Sequence, residues 1–301
     1  MRVWNYTVFA VVLAVLFFAG SVSAQQQMYG GGSDAFVQSF DNGGVDWQSG
    51  RVTAKGIGAP PANAVNMAQA RAMAVRAATV VARRNLLEII KGVQIDSQTT
   101  VRNYMVENDV VVNRVRGFLQ NSQILDTAYM SDGSVEVTVG IGLRGGFADV
   151  VLPQSMPFKP APPMAPAPTT PEMPAPPAPD MPAPEAAGTA YTGLLVDARG
   201  LSARPAMSPK ILDENGMEVY GSASVSREYA IQQGMAGYAK DPEKAGQNPR
   251  IAANPFMAKA TAVQGKSNTD FVIGTDAANM LRDLSKTQNF MEKCRVMIVL
   301  D

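Results

Sequence analysis

The feature that most limits how this chain can fold is a proline-rich segment near its centre. Residues 153–184 hold 14 of the 21 prolines, and alanine and methionine fill most of the positions between them. Proline fixes φ and lacks a backbone N–H, so such a segment forms neither helix nor sheet and favours polyproline II. We therefore predict a linker at 153–188 between domains at 45–152 and 189–301. At about 3.1 Å per residue it can hold the domains on the order of 100 Å apart.

The first domain contains one long helix. It is predicted to begin after a cap at Asn63 and to end at about Lys91, because alanine and leucine dominate this stretch. Gln69, Arg76 and Arg83 are spaced seven apart and so form one polar stripe on a helix that is otherwise apolar. We expect most of this helix to be buried against a sheet.

Strands surround the helix. Residues 134–143 alternate Val, Ile and Leu with polar or small residues, which is the period of a strand with one buried face. Their hairpin partner is predicted at 118–129, across a turn at 131–133, and another strand at 51–58. Residues 99–116 are either a second helix or a helix followed by a strand. The first domain is therefore predicted as α+β, in the order β-α-(α)-β-β.

The second domain is also predicted as mixed α+β. Its helices are expected at 226–239 and 276–287, and an apolar strand at 295–300. A turn at 213–216 joins two short strands, because Asp, Asn and Gly favour that geometry. A calcium loop is the weaker interpretation of these four residues, since they lack the spaced oxygen ligands and the distal glutamate.

The N-terminus has the three zones of a secretory signal peptide at 1–24. A short positive start precedes an apolar run at 8–19, and small residues then lead to a predicted cleavage between Ala24 and Gln25. The run is shorter than the ~20 residues that a membrane span needs. Residues 25–44 are rich in Gln, Gly and Ser and are predicted as a flexible tail. We expect a periplasmic protein, or one associated with the outer membrane.

The composition excludes the commonest catalytic systems. The chain has no histidine, so Ser-His-Asp and Cys-His nucleophiles and the usual zinc sites cannot form. The chain has 26 Lys and Arg residues and 26 Asp and Glu residues, so its net charge is zero. There is therefore no large basic field that could bind nucleic acid. The single cysteine, Cys294, is either a buried thiol or a partner in an intermolecular disulfide. We predict no catalytic residues, no cofactor and no metal.

Two further motifs have a structural interpretation. Gly56-Ile57-Gly58 precedes the helix as a dinucleotide motif would, but Pro61 replaces the third glycine, so we interpret it as a strand-to-helix turn. A basic cluster on the helix is either a solvated face or a contact surface for an acidic partner or neighbouring subunit. Its members are Arg71, Arg76, Arg83 and Arg84.

Several short motifs between residues 51 and 143 have the pattern of a known family. They are Ala54–Gly58, Ala70–Ala78, Val81–Glu88, Ile90–Val93, Val115–Gly117 and Ser131–Val137. With these motifs the stretch resembles the Lpp-twenty-like family of outer-membrane lipoproteins, whose domain also occurs in flagellar outer-membrane and assembly proteins. The resemblance implies a non-enzymatic envelope component, in some cases one that assembles into rings or discs. The chain lacks the cysteine that is acylated in lipoproteins.

The leading hypothesis is a non-enzymatic structural or assembly component of the periplasm or outer membrane, with the flagellum as one setting. Expected partners are copies of itself and other envelope or flagellar proteins, with peripheral outer-membrane association and no nucleic acid. Self-association is expected through 45–152. If 134–143 lies at a sheet edge, its free backbone groups invite pairing with another copy, and Gln69, Arg76 and Arg83 then face a neighbour. The alternative is a periplasmic binding module for peptidoglycan or another envelope ligand; an enzyme that uses carboxylates or lysine is the third hypothesis.

Overall fold

The computed structural model describes residues 36–160 and 190–301, which fall within one compact unit. The predicted fold class is confirmed: a long helix lies on an antiparallel sheet in the N-terminal half, and a mixed sheet forms the C-terminal half. The predicted signal peptide, its cleavage site between Ala24 and Gln25, and most of the linker lie outside the described residues. No helix in the two described ranges has the length and apolar character that crossing a membrane requires.

Within 36–160 the chain forms five strands and four α-helices. They are β1 (Val37–Phe40), β2 (Gly43–Asp46), β3 (Arg51–Gly58), α1 (Met67–Lys91), α2 (Val101–Glu107), α3 (Asp109–Gln120), β4 (Gln123–Tyr129), β5 (Val135–Gly142) and α4 (Gly146–Val151). The strands form an antiparallel sheet in the order β1-β2-β3-β5-β4, and α1 lies across β3 and β5.

Helix α1 lies very close to β3 because both contacting surfaces are made of the smallest residues. The helix contributes a buried stripe of Ala70, Ala74, Ala78 and Ala82. From the strand, Gly56 and Gly58 face this stripe, and a β-carbon built on Gly56 would lie 2.2 Å from the backbone nitrogen of Ala82. Gly56-Ile57-Gly58 is therefore the last part of β3 rather than a turn, and its glycines serve helix–strand packing.

Two predictions about α1 are wrong. Asn66, rather than Asn63, caps the helix, and its side chain accepts a 2.8 Å hydrogen bond from the backbone N–H of Gln69. Most of the helix is not buried either, because a sheet on one side covers only one stripe of it. Met73 and Val80 stay 45% and 62% exposed.

The segment between α1 and β4 consists of a loop at 92–100, with an isolated β-bridge between Gln94 and Thr100, followed by two helices. Residues 99–116, for which a strand was one alternative, contribute to α2 and α3. The side chain of Asn108 starts α3 by accepting from the N–H groups of Val110 and Val111. Part of the predicted tail at 25–44 is instead a strand pair, because residues 37–46 form the β1–β2 hairpin, which extends the sheet beyond β3.

Strand β5 lies in the middle of the sheet. It pairs with β3 on one side and with β4 on the other. The condition for self-pairing through 134–143, a position at the sheet edge, is therefore not met. Alternation shows which face of a strand is buried but not which strands flank it. The edge on that side is β4, which has a bulge between Ile124 and Asp126. Bulges at edges discourage pairing with another chain.

The C-terminal half is a seven-stranded mixed sheet. In chain order its elements are β6 (Gly193–Asp197), β7 (Ile211–Asp213), β8 (Glu218–Tyr220), α5 (Arg227–Gln233), β9 (Gly237–Ala239), α6 (Pro242–Gly246), β10 (Pro255–Gln264), β11 (Asp270–Ile273), α7 (Thr275–Thr287) and β12 (Val296–Val299). The strand order is β8-β7-β11-β10-β6-β12-β9. All four residues of β12 are buried, and this strand runs parallel to both of its neighbours. The helix predicted at 226–239 ends at Gln233, because Gly234 takes a φ of 76°.

The two halves pack against each other. The ring of Trp47 meets that of Tyr238 edge to face at 5.6 Å. The backbone N–H of Ser208 donates to the carbonyl of Ile95 at 2.7 Å. Buried residues of both halves form one continuous apolar cluster. This docking differs from the expectation that the linker holds the C-terminal domain away, since the length of a linker permits contact as well as separation.

Candidate functional site

The outward side of α1 carries a surface that combines arginine with exposed apolar residues. Met73, Arg76, Val80 and Arg84 are spaced three or four apart, which places them on one face of the helix, and all four are exposed. Neither arginine makes a side-chain hydrogen bond or ion pair with any residue in 36–160 or 190–301. We call these four residues the basic face.

The three residues of the predicted stripe, Gln69, Arg76 and Arg83, differ in their contacts. The Oε1 of Gln69 accepts from the backbone N–H of Val65 at 2.8 Å, so this side chain helps to close the start of α1. Arg83 is half-buried, and its Nε donates to the Oγ of Ser122 at 3.2 Å, which ties α1 to the loop before β4. Of the three, Arg76 alone belongs to the basic face.

A surface of opposite charge lies where α2 meets α3. The chain bends at Asn108, whose extended backbone separates the two helices. Val106 and Val110, on either side of the bend, are 82% and 59% exposed. Glu107 and Asp109 are exposed between them, and neither carboxylate is paired with another side chain in the described part of the chain. We call Val106, Glu107, Asp109 and Val110 the acidic turn.

A cleft of about 770 Å³ opens in the C-terminal half, where the parallel strands β6 and β12 begin. Of the residues that the structure describes, four cations and one carboxylate line it: Lys159, Lys286, Lys293, Arg295 and Glu292. Lys159 is paired with Glu292, and Lys286 is paired with Asp283 at 2.8 Å. The side chains of Lys293 and Arg295 have no ion pair or hydrogen bond among residues 36–160 and 190–301. Among the described residues of the cleft, two positive charges are therefore uncompensated.

Hydrogen bonds hold the backbone of the turn at 290–295, which carries these two cations. The backbone N–H of Arg295 donates to the carbonyl of Phe290 at 2.9 Å. Beneath the turn, Arg250 donates from its Nε to the carbonyl of Cys294, also at 2.9 Å. Phe290 and Cys294 are buried, and Cys294 has a φ of 54°. Because the backbone is held in place, the side chains of Lys293 and Arg295 start from fixed positions.

The buried groups beneath the cleft are not suited to nucleophilic chemistry. Burial raises the pKa of the Cys294 thiol to about 11, so the thiol stays protonated at neutral pH. Burial likewise raises the pKa of Tyr220, whose hydroxyl donates to the carbonyl of Met235 at 2.5 Å. Of the two alternatives for Cys294, the structure favours the buried thiol.

At the opposite edge of the sheet, where the parallel strands end, the carboxylates form hydrogen bonds with neighbouring groups of the chain. Ligands of open α/β sheets commonly bind at that edge. Here both oxygens of Asp197 accept hydrogen bonds from the Arg199 side chain, at 2.9 and 2.7 Å, and these bonds lower the pKa of the Asp197 carboxyl. Asp301 accepts from the backbone N–H of Gly200 at 2.7 Å. The carboxylates are thus committed to local contacts.

The turn at 213–216 joins β7 and β8 as predicted. The Oδ1 of Asp213 accepts from the N–H groups of Asn215 and Met217, and its Oδ2 accepts from Arg282 at 2.8 Å. In the residues that the structure describes, no three His, Cys, Asp or Glu side chains are grouped so that they could hold a metal ion.

Comparison with known families concerns the C-terminal half. Residues 193–301 match the family model described as Treponema pallidum Tp0624, second domain. The match begins at the first residue of β6 and includes the whole seven-stranded sheet with the cleft turn. The expected membership of the Lpp-twenty-like lipoprotein family is wrong, because the family model that matches is the Tp0624 second domain. The motifs quoted at 51–143 come largely from an alanine-rich helix, and such helices match easily. No curated protein matches the chain.

Proposed function

We propose that this chain is a non-enzymatic, exported structural protein of the periplasm or outer membrane that assembles by binding copies of itself. The absence of histidine and the protonated state of Cys294 support a non-enzymatic role. The flagellar setting rested on the resemblance to the Lpp-twenty-like family, and the family match of this chain does not support it.

The observation that carries the proposal is the complementarity of the basic face and the acidic turn. Each combines two exposed apolar residues with two charges, and the charges are positive on one surface and negative on the other. Exposed apolar residues supply affinity when they are covered, while opposite charges select the partner and its orientation. A second copy offers both surfaces at once.

When the basic face of one copy contacts the acidic turn of another copy, the contact is head-to-tail. Such a contact closes into a ring when the rotation between copies allows it and otherwise extends into a filament. Because each surface is small and its charges are exposed, we expect weak association, with a Kd of roughly 10–100 μM. Screening should weaken it further in 0.5 M salt, where the Debye length is only about 4 Å.

Sedimentation velocity on the full mature chain at graded concentrations tests the proposal. Wild type should form species larger than a monomer, and Arg76→Glu and Glu107→Arg should each be monomeric because like charges then face each other. An equimolar mixture of the two variants should assemble again, since each reversed surface meets its reversed complement.

The control is Arg204→Glu, which reverses the charge of an exposed arginine in the C-terminal half and should leave assembly unchanged. A wild-type chain that stays monomeric at 200 μM, about the upper limit of the expected range, would contradict the proposal. So would variants that assemble as wild type does.

The alternative function, a periplasmic binding module, has one specific observation in its favour, which is the cleft with its two uncompensated cations.

A further inference from the structure

We infer that the cleft is a binding site for a small ligand with two acidic groups, either carboxylates or phosphates. Its volume of about 770 Å³ falls within the range of about 300–1,000 Å³ that is usual for small-molecule sites. This inference is independent of self-association, because the cleft lies in the C-terminal half, away from the basic face and the acidic turn.

The charge balance of the cleft selects an anion. Lys159 and Glu292 neutralise each other, and Asp283 neutralises Lys286. Lys293 and Arg295 remain, and they stand on either side of Cys294 on the same turn. A ligand with one acidic group for each cation would balance the site and would form charge-assisted hydrogen bonds, which are the strongest kind available to it.

The backbone around the two cations is organised before any ligand arrives. The Arg250 guanidinium holds the carbonyls of Gln233, Gly234 and Cys294 and thereby joins the end of α5 to the cation-bearing turn. A preorganised turn lowers the entropy cost of binding, because only the side-chain ends have to be ordered. The Asn289 amide, which also lines the cleft, can hydrogen-bond to neutral parts of the ligand.

The lining is also polar, which indicates a hydrophilic ligand. Hydroxyl groups of Ser224, Ser285 and Thr287 border the cleft. The buried aromatic ring of Phe290 and the half-buried ring of Tyr191 supply the apolar part of the lining. A sugar or peptide fragment with carboxylates fits this chemistry, and so does a phosphate-bearing solute.

Isothermal titration calorimetry on the full mature chain at low ionic strength tests the inference. The probes are a peptidoglycan fragment with two free carboxylates, the same fragment with both carboxylates amidated, and inorganic pyrophosphate, which has two phosphate groups. We expect saturable one-to-one binding of the free fragment or of pyrophosphate with a Kd below about 1 mM. The amidated fragment should not bind, and whichever anion binds identifies the source of the acidic groups.

Arg295→Gln and Lys293→Gln should each weaken binding by about tenfold or more, because each removes one charge-assisted hydrogen bond. Lys266→Gln, at an exposed position in the turn between β10 and β11, is the matched control and should bind as wild type does. Near-ultraviolet circular dichroism checks that each variant is folded. Two results would overturn the inference: no saturable binding of any anionic probe at 1 mM, or equal weakening by the control.

Discussion

The contact between α1 and β3 can be tested by adding a single methyl group. In Gly56→Ala the new β-carbon would lie 2.2 Å from the backbone nitrogen of Ala82 and 2.4 Å from the carbonyl oxygen of Ala78. Both atoms belong to the backbone of α1, so no side-chain rotation relieves the clash. The whole helix has to move away from the sheet, and the packing of its alanine stripe is then lost.

The size of the effect follows from two opposing contributions. Overpacking a close-packed site costs about 1–3 kcal/mol and occasionally more, and an immovable backbone places this site at the upper end. The methyl group also restricts the unfolded chain, which stabilises by about 0.4–1 kcal/mol. We therefore expect a net loss of about 2 kcal/mol in the free energy of unfolding.

Urea denaturation followed by the fluorescence of Trp47, which is buried in the same core, measures this loss. The urea concentration at the unfolding midpoint should fall by roughly 1 M if the free energy of unfolding decreases by about 2 kcal/mol per molar urea. Gly117→Ala is the matched control: an added β-carbon there meets no atom within 4 Å, and alanine favours the helix by about 0.5–1 kcal/mol. The reasoning is refuted if Gly56→Ala unfolds at the wild-type midpoint or if both variants shift in the same direction.

Two further predictions concern the C-terminal half, and a third concerns its docking against the N-terminal half. The hydrogen bond from Arg282 is the main cause of the lowered pKa of Asp213, so the stability that this pair contributes is complete above the unfolded-state pKa of 3.8 and is lost as the pH falls through the lower pKa of the folded state. Arg282→Met should therefore lower the urea midpoint at pH 7, and the loss should shrink progressively as the pH falls below 3.8. Cys294 should react with a thiol reagent at pH 8 only after denaturation, because burial raises its pKa to about 11; rapid labelling of the folded protein would show that the thiol is accessible. Cleavage at a protease site inserted within 161–189 should leave two fragments that co-elute in gel filtration, held by contacts such as that of Trp47 with Tyr238; fragments that separate would argue against docked halves.

Elements with a strong local signal could be predicted from the sequence. Strand β3 has the predicted bounds, since Pro60 and Pro61 end the strand pattern, and α1 ends at Lys91 because Gly92 follows. The start of α1 was missed because two asparagines, three residues apart, both precede the helix and either can serve as its cap.

Features that depend on distant residues could not be predicted. The central position of β5 follows from its pairing with β3, about 80 residues earlier in the chain. The alternation of apolar and polar residues within β5 does not indicate which strand lies beside it. The docking of the two halves depends on contacts such as Ser208 with Ile95. The cleft joins Lys159 to a turn at 290–295, so no local motif could have indicated it.

The most direct test of the proposed assembly is disulfide crosslinking between the basic face and the acidic turn. The chain without the predicted signal peptide at 1–24, carrying both Arg76→Cys and Glu107→Cys, is oxidised and separated on a non-reducing gel. The buried Cys294 thiol should not take part. Head-to-tail contact predicts a ladder of dimers, trimers and larger species, while the control pair Arg204→Cys with Glu107→Cys should stay monomeric. A double variant that remains monomeric, or a control that gives the same ladder, would contradict the proposed assembly.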